Sequence, residues 1–245
     1  MKILLLNANT SQFVTDACAK EARASASAGT EIVAVTGEFG ARIIGSRAEN
    51  AIAQHAILEL AAKHHRGCDA VVIAVSYDTG LAALRELLPI PVVGMTEAAL
   101  ITACMAGGRV GMVTFGRHAV PVYREVVESY ALERRLAGID ALDVSTDAYA
   151  YPERLADALV AACEGLVDRD GAEAVILAGA AMAGMQRTLQ ARVPVPLLDG
   201  IACGVRQAEL LVRLGLPKPA AGSYARIAGR ETSGLSEALA RLLRG

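Results

Sequence analysis

The stretch AVSYDTG at residues 74–80 ends an apolar run with four consecutive hydrogen-bonding side chains. The hydroxyls of Ser76, Tyr77 and Thr79, with the backbone amides beside them, suit a cradle for an anion or a developing oxyanion. Val75 stands at the head of this cluster and carries no chemistry. Asp78 either faces the same ligand or caps the following helix, with Thr79 the other capping candidate. A second stretch, AGAAMAG at 178–184, is nearly bare of side chains. There Gly179, Ala180, Ala181 and Met182 offer backbone that a ligand can approach closely, and their amides are expected to form a second cradle.

Asn7, Asn9, Thr10 and Thr114 are expected at the ends of neighbouring strands, where they would hold a carboxylate or an amide. Arg117 and His118 follow another strand end and could enter the same crevice or simply start a solvated helix. Ser76 and Tyr77 are the catalytic candidates, although hydroxyls are poor bases unless strongly perturbed. Ser76 as a nucleophile needs a base such as His118 or Asp78 within reach. Cys203 follows LLDG, where a helix N-terminus could lower its thiol pKa, while a small buried cysteine is the commoner case.

These residues converge only if strands carry them to a common edge. Apolar runs at 2–7, 31–36, 70–75, 91–94, 109–114, 139–144, 174–178 and 195–198 predict strands. Amphipathic patterns predict helices at 49–64, 96–106, 119–131, 153–168 and 201–214, with a last short helix at 233–244. The alternation predicts an α/β fold with largely parallel sheets. DAVVIAVS at 69–76 matches EAVILAGA at 173–180, and PIPVVGMTEA at 89–98 matches VPVPLLDGIA at 193–202. KILLLN and RVGMVT occupy similar places in the two halves. The repeat predicts two pseudo-symmetric Rossmann-like lobes with parallel sheets, residues 1–100 plus 206–245 forming the first and 101–205 the second. The loops after Val75 and Gly179 would then form opposite walls of an interlobe cleft, because ligands bind beyond the carboxyl ends of parallel strands.

Composition narrows the function. The chain has 245 residues, is 53% hydrophobic with a mean hydropathy of +0.38, and carries a net charge of −2. That balance opposes disorder and gives no footprint for nucleic acid or an anionic membrane. No apolar stretch is long enough to span a bilayer and the N-terminus turns polar at Asn7, so a cytoplasmic location is expected. Five cysteines without a CxxC spacing suggest neither a disulfide framework nor a zinc site. Cys163 shares a helical face with Leu159 and Leu166 and is expected in the core. No GxGxxG or P-loop follows a strand.

LNANTS at 6–11, SRAENAIAQHAILE at 46–59, IAVSYDTGLAALRE at 73–86, VGMVTFGRHAVPVYREVVESY at 110–130 and PVPLLDGIACGVRQAELLV at 194–212 give the chain a family resemblance. It resembles the hydantoin racemase branch of the aspartate/glutamate racemase superfamily, to which arylmalonate decarboxylase and maleate isomerase also belong. The resemblance covers roughly residues 1–220. It implies an isomerase that works without a cofactor or metal, assembles as a homo-oligomer, and takes a small carboxylate, hydantoin or cyclic amide as substrate. It also implies two cysteines on opposite faces of the substrate, and those two places fall on Val75 and Gly179. The expected enzyme therefore acts beside a carboxylate or amide carbonyl without paired thiols. A hydrolase or decarboxylase using Ser76 or a positioned water, and an inactive small-anion binding protein, are the alternative readings.

Overall fold

The computed structural model describes residues 1–226 and 229–244. The first half runs β1 (Lys2–Asn7), α1 (Gln12–Ser25), β2 (Glu31–Thr36), α2 (Arg47–His64), β3 (Ala70–Ile73), α3 (Leu81–Leu87), β4 (Val92–Gly94) and α4 (Met95–Ala106). The second half repeats the order: β5 (Val110–Phe115), α5 (Ala119–Ser129), β6 (Leu136–Leu142), α6 (Ala156–Asp170), β7 (Ala174–Leu177), α7 (Gln186–Leu189), β8 (Leu197–Asp199) and α8 (Gly200–Leu214). A final helix, α9 (Glu237–Arg244), closes the described chain.

Each half makes one four-stranded parallel sheet, ordered β2-β1-β3-β4 and β6-β5-β7-β8. The matching orders establish the duplicated α/β architecture read from the repeat. Both central strands end alike: Ala74 N donates to Leu6 O at 2.7 Å, and Ala178 N donates to Val113 O at 2.7 Å. Alternation along the strands divides the core of the first sheet. Leu4, Leu6, Val71 and Ile73 pack toward α2 and α3, while Ile3, Leu5, Ala70 and Val72 pack toward α1 and α8. Burial on both faces explains why these strands read as continuous apolar runs.

The two sheets are joined through α4 and α8, which pack on each other. Glycine permits the close approach: a Cβ on Gly200 would lie 2.8 Å from Met95 O. Helix α8 also packs on α1 and β3, and α9 on α2 through Leu239 and Leu242. Cys163 is fully buried with Leu159 and Leu166, as its helical face predicted.

Several bounds differ from the sequence reading. β3 ends at Ile73 rather than Val75, because Ala74 makes the last ladder bond and the chain then turns into the cleft. β6 lies at 136–142 rather than 139–144. Its pairing with β5 shifts register between Val110 and Gly111, leaving Ala137 as an extra residue. Residues Pro152–Leu155 form a tight 3₁₀ turn, so α6 starts three residues later than expected. Among the described residues, no helix is long and apolar enough to cross a membrane.

Candidate active site

A cavity of about 220 Å³ opens between the two sheets at the carboxyl ends of β1, β3, β5 and β7. Ala74, Val75, Ser76 and Tyr77 form one wall, and Ala178, Gly179, Ala180 and Ala181 form the opposite one. Asn9, Thr114, Phe115 and Gly116 supply the strand-end edge. His118, Ala119 and Tyr123 come from α5 and its N-terminal cap, and Ile43, Ile44 and Gly45 come from the loop before α2.

Local chemistry sets each wall. Val75 is 4% exposed and packs into the apolar cluster with Leu6 and Ile73, so the cradle's head is a hydrocarbon wall. Tyr77 meets Tyr123 edge to face, ring centroids 5.2 Å apart. The Tyr123 hydroxyl donates to Ala178 O at 2.7 Å. Ser76 Oγ accepts from Ala180 N at 3.0 Å, joining one wall to the other. The Cys18 thiol donates to Ala180 O at 3.4 Å, so the backbone of Ala180 is held through both its N–H and its carbonyl.

Of the residues expected at the site, Asn9, Val75, Ser76, Tyr77, Thr114, His118, Gly179, Ala180 and Ala181 line the cavity. The others, Asn7, Thr10, Asp78, Thr79, Arg117 and Met182, do not line it. Asp78 is buried with a left-handed φ of 48°, a conformation that aspartate tolerates better than most residues. Its carboxylate accepts from Thr96 N at 2.9 Å, Glu97 N at 2.7 Å and the Tyr130 hydroxyl at 2.6 Å. It therefore caps α4 rather than α3, where Gly94 at the N-cap has no side chain to do so. Burial pushes the Asp78 carboxyl up to about 6, opposed by the Tyr130, Thr96 and Glu97 donors. Thr79 donates to Asn50 Oδ1 at 2.6 Å and fixes the loop to α2. Asn7 is wholly buried, its amide donating to Asn9 Oδ1 and Thr15 Oγ1, each at 2.9 Å. Thr10 uses its backbone N–H to hold Ala41 O at 3.1 Å, which seats the loop carrying Ile43 and Ile44. Arg117 points to solvent, 3.8 Å from Asp143. Met182 is fully buried under the second wall.

The second amide cradle is also smaller than expected. A single 3₁₀ turn, Ala180–Met182, follows Gly179, and α7 begins only at Gln186 with four residues. The Ala180 and Met182 amides are already engaged by Ser76 Oγ and by Gly179 O at 2.8 Å. Cys203 follows the alternative reading of a packed cysteine. It does not line the cavity, and burial between α4 and α8 pushes its thiol up to about 11 despite the Thr102 hydroxyl.

Asp199 mirrors Asp78 from the other end. It caps its own helix, accepting from Ala202 N at 2.8 Å, and reaches back to Gly184 N at 2.9 Å in the loop after β7. Each lobe thus uses one buried carboxylate to tie the loop after its central strand to the helix after its edge strand. Sequence reasoning missed Ile43, Ile44 and Tyr123, for they carry no motif. The run of apolar residues before SRAEN was the available signal.

Among the described residues lining the cavity there is no Asp, Glu, Lys, Arg or Cys. A charged ligand would lose its hydration here and, His118 at the mouth aside, would gain no counter-ion. A neutral ligand with carbonyl and N–H groups fits the Asn9, Ser76, Tyr77 and Thr114 side chains and the backbone between them.

The family model for Asp/Glu/Hydantoin racemase matches residues 3–208. A hydantoin racemase from Pseudomonas sp. (strain NS671) is 33% identical over 221 residues, spanning 88% of this chain and 87% of its own. The allantoin racemase from Klebsiella pneumoniae superposes with a TM-score of 0.92 at 32% identity, covering 98% of both chains. The allantoin racemase from Pseudomonas fluorescens gives 0.91 at 34% identity, over 96% of this chain and 100% of that one.

Proposed function

We propose that this chain, which belongs to the Asp/Glu/hydantoin racemase family, moves the proton on a carbon beside the carbonyl of a small cyclic amide without using paired thiols or a cofactor. The observation that carries this reading is the lining itself, in which Val75 and Gly179 form opposing walls and no Asp, Glu, Lys, Arg or Cys is present among the described residues. A hydantoin ring is neutral, carries two carbonyls and two N–H groups, and matches a lining of hydroxyls, amides and backbone. The named activities of the hydantoin and allantoin racemases it resembles support the same ring. An amino acid zwitterion or a dicarboxylate would find no ion partner beyond His118.

When the C–H bond beside the ring carbonyl breaks, its electron pair moves onto the carbonyl oxygen as an enolate. Donors from Ser76, Tyr77, Asn9 and Thr114 stabilise that charge, and a preorganised donor in such a site contributes roughly 3–4 kcal/mol. Val75, Ile43 and Ile44 give the ring apolar walls. Among the described residues Ser76 Oγ is hydrogen-bonded to no base: it accepts from Ala180 N at 3.0 Å and lies 3.9 Å from Met95 Sδ. That counts against a serine hydrolase, as a lining without Lys or Arg counts against a dedicated anion-binding protein.

We assign residues 1–100 with 206–245 to one lobe and 101–205 to the other, a division supported by the packing of α8 on α1 and β3 and of α9 on α2. Self-association is supported by Met105, Leu210 and Leu214, exposed on the adjoining helices α4 and α8. The function is tested by incubating single enantiomers of allantoin and other 5-substituted hydantoins with the enzyme in heavy water. Deuterium entering the 5-position supports the reading. Unchanged protiated substrate across the series excludes it.

A further inference from the structure

A cavity walled by Val75 and Gly179 still needs a group that takes a proton from carbon. Ser76 Oγ is committed to Ala180 N, and Asn9 Oδ1 accepts from the Asn7 side chain and from Ser11 N. Tyr123 spends its hydroxyl proton on Ala178 O. Tyr77 is a phenol and Thr114 an alcohol, both reluctant bases near neutrality. Asp78, the nearest carboxylate along the chain, lies behind the wall and is occupied by three donors. His118 remains, the lining residue whose side-chain type exchanges protons near physiological pH.

Its setting is unlike that of a structural histidine. His118 occupies the N-cap of α5 yet makes no side-chain capping bond. Among the described residues, its ring has no hydrogen-bond or ion-pair partner. The ring is exposed at the cavity mouth, open both to a bound ligand and to water. Its neighbour Arg117 is turned away toward Asp143.

We infer that His118 is the catalytic base and acid of this site, working from one side of the substrate ring. This rests on the proposed function above. A neutral imidazole nitrogen takes the hydrogen from the ring carbon as a proton, and the C–H electron pair passes to the carbonyl oxygen. The imidazolium then returns a proton to carbon as the enolate collapses, or first exchanges it with water at the mouth. A single exposed acid–base group makes solvent exchange at carbon outpace inversion, whereas two opposed thiols couple the two events.

The test compares wild type, His118→Ala and His118→Gln on one enantiomer of a hydantoin that wild type exchanges in heavy water. The expected result is a loss of about 100-fold or more in the exchange kcat for both variants, with melting temperatures unchanged. Added imidazole should partly restore His118→Ala, since the ring it replaces is reachable from solvent. Exchange within about threefold of wild type in both variants, or a loss confined to KM, overturns the role of His118 while wild-type turnover leaves the proposed function standing. A wild type that exchanges no hydantoin overturns that function, and this inference with it.

Discussion

Ser76 Oγ accepts a hydrogen bond from Ala180 N at 3.0 Å, and 104 positions separate the two residues. The same step relates β3, starting at Ala70, to β7, starting at Ala174. The contact therefore joins equivalent positions of the two halves and lies at the pseudo-twofold relation between them. Ser76→Ala would leave the Ala180 N–H without its acceptor beside a largely apolar cavity. Urea denaturation should show a loss of about 1–2 kcal/mol. Ser76→Thr should recover most of it, because the hydroxyl returns.

Opposed thiols can be installed. Gly179 has an extended backbone, with φ of 176°, and a Cβ there would meet only the Met182 Cε at 2.9 Å, the movable end of a flexible side chain. Val75→Cys reduces volume at a position that already faces the cavity. The double variant Val75→Cys/Gly179→Cys is expected to fold and to gain a racemisation activity that iodoacetamide abolishes. Chiral chromatography before and after alkylation measures this.

Gly94 is fixed by Asp78. A Cβ at Gly94 would lie 2.6 Å from Asp78 Oδ1, so Gly94→Ala must displace the carboxylate that caps α4. The expected cost is about 2–4 kcal/mol, combining overpacking with a lost cap. Equilibrium unfolding should register it, together with a rise in KM as the Ser76–Tyr77 wall shifts.

Stability should depend on pH through Asp78 and Asp199. Burial raises both carboxyls to about 6, against about 3.9 for an unfolded aspartate. Between those values the folded state binds the proton more tightly, so stability falls as pH rises through 6. The change is on the order of 2–3 kcal/mol per group. Glu21 and Glu209 act in the opposite sense. Despite burial, hydrogen bonds from Arg187 and Ser25, and from Thr30 and Ser27, hold their carboxyls low, and their contribution is lost in acid. Melting temperatures should therefore decline from pH 5 to pH 7, and Asp78→Asn should flatten that decline.

The duplicated fold was legible because each strand is buried on both faces and so stands out as an apolar run, repeated at a fixed step. The cavity walls were legible for the same reason, since Val75 and Gly179 sit at equivalent strand ends. What sequence spacing could not convey was side-chain direction. Asp78 and Asn7 look like ligand contacts in a linear reading, yet a left-handed turn aims Asp78 at the α4 amides and a strand's alternation sends Asn7 inward to Thr15. Ile44 and Tyr123 reach the cavity from a loop and a helix, and only the assembled lobes bring them there.

The central claim is that this site moves a carbon-bound proton without sulfur. It is tested most directly by deuterium incorporation at the 5-position of an enantiopure hydantoin, measured on enzyme alkylated under native conditions. The half-buried Cys203 thiol, raised to about 11, and the buried Cys163 thiol, raised to about 12, are disfavoured as thiolates. The account predicts that alkylated and untreated enzyme incorporate deuterium at the same rate. Incorporation that disappears on alkylation would contradict it.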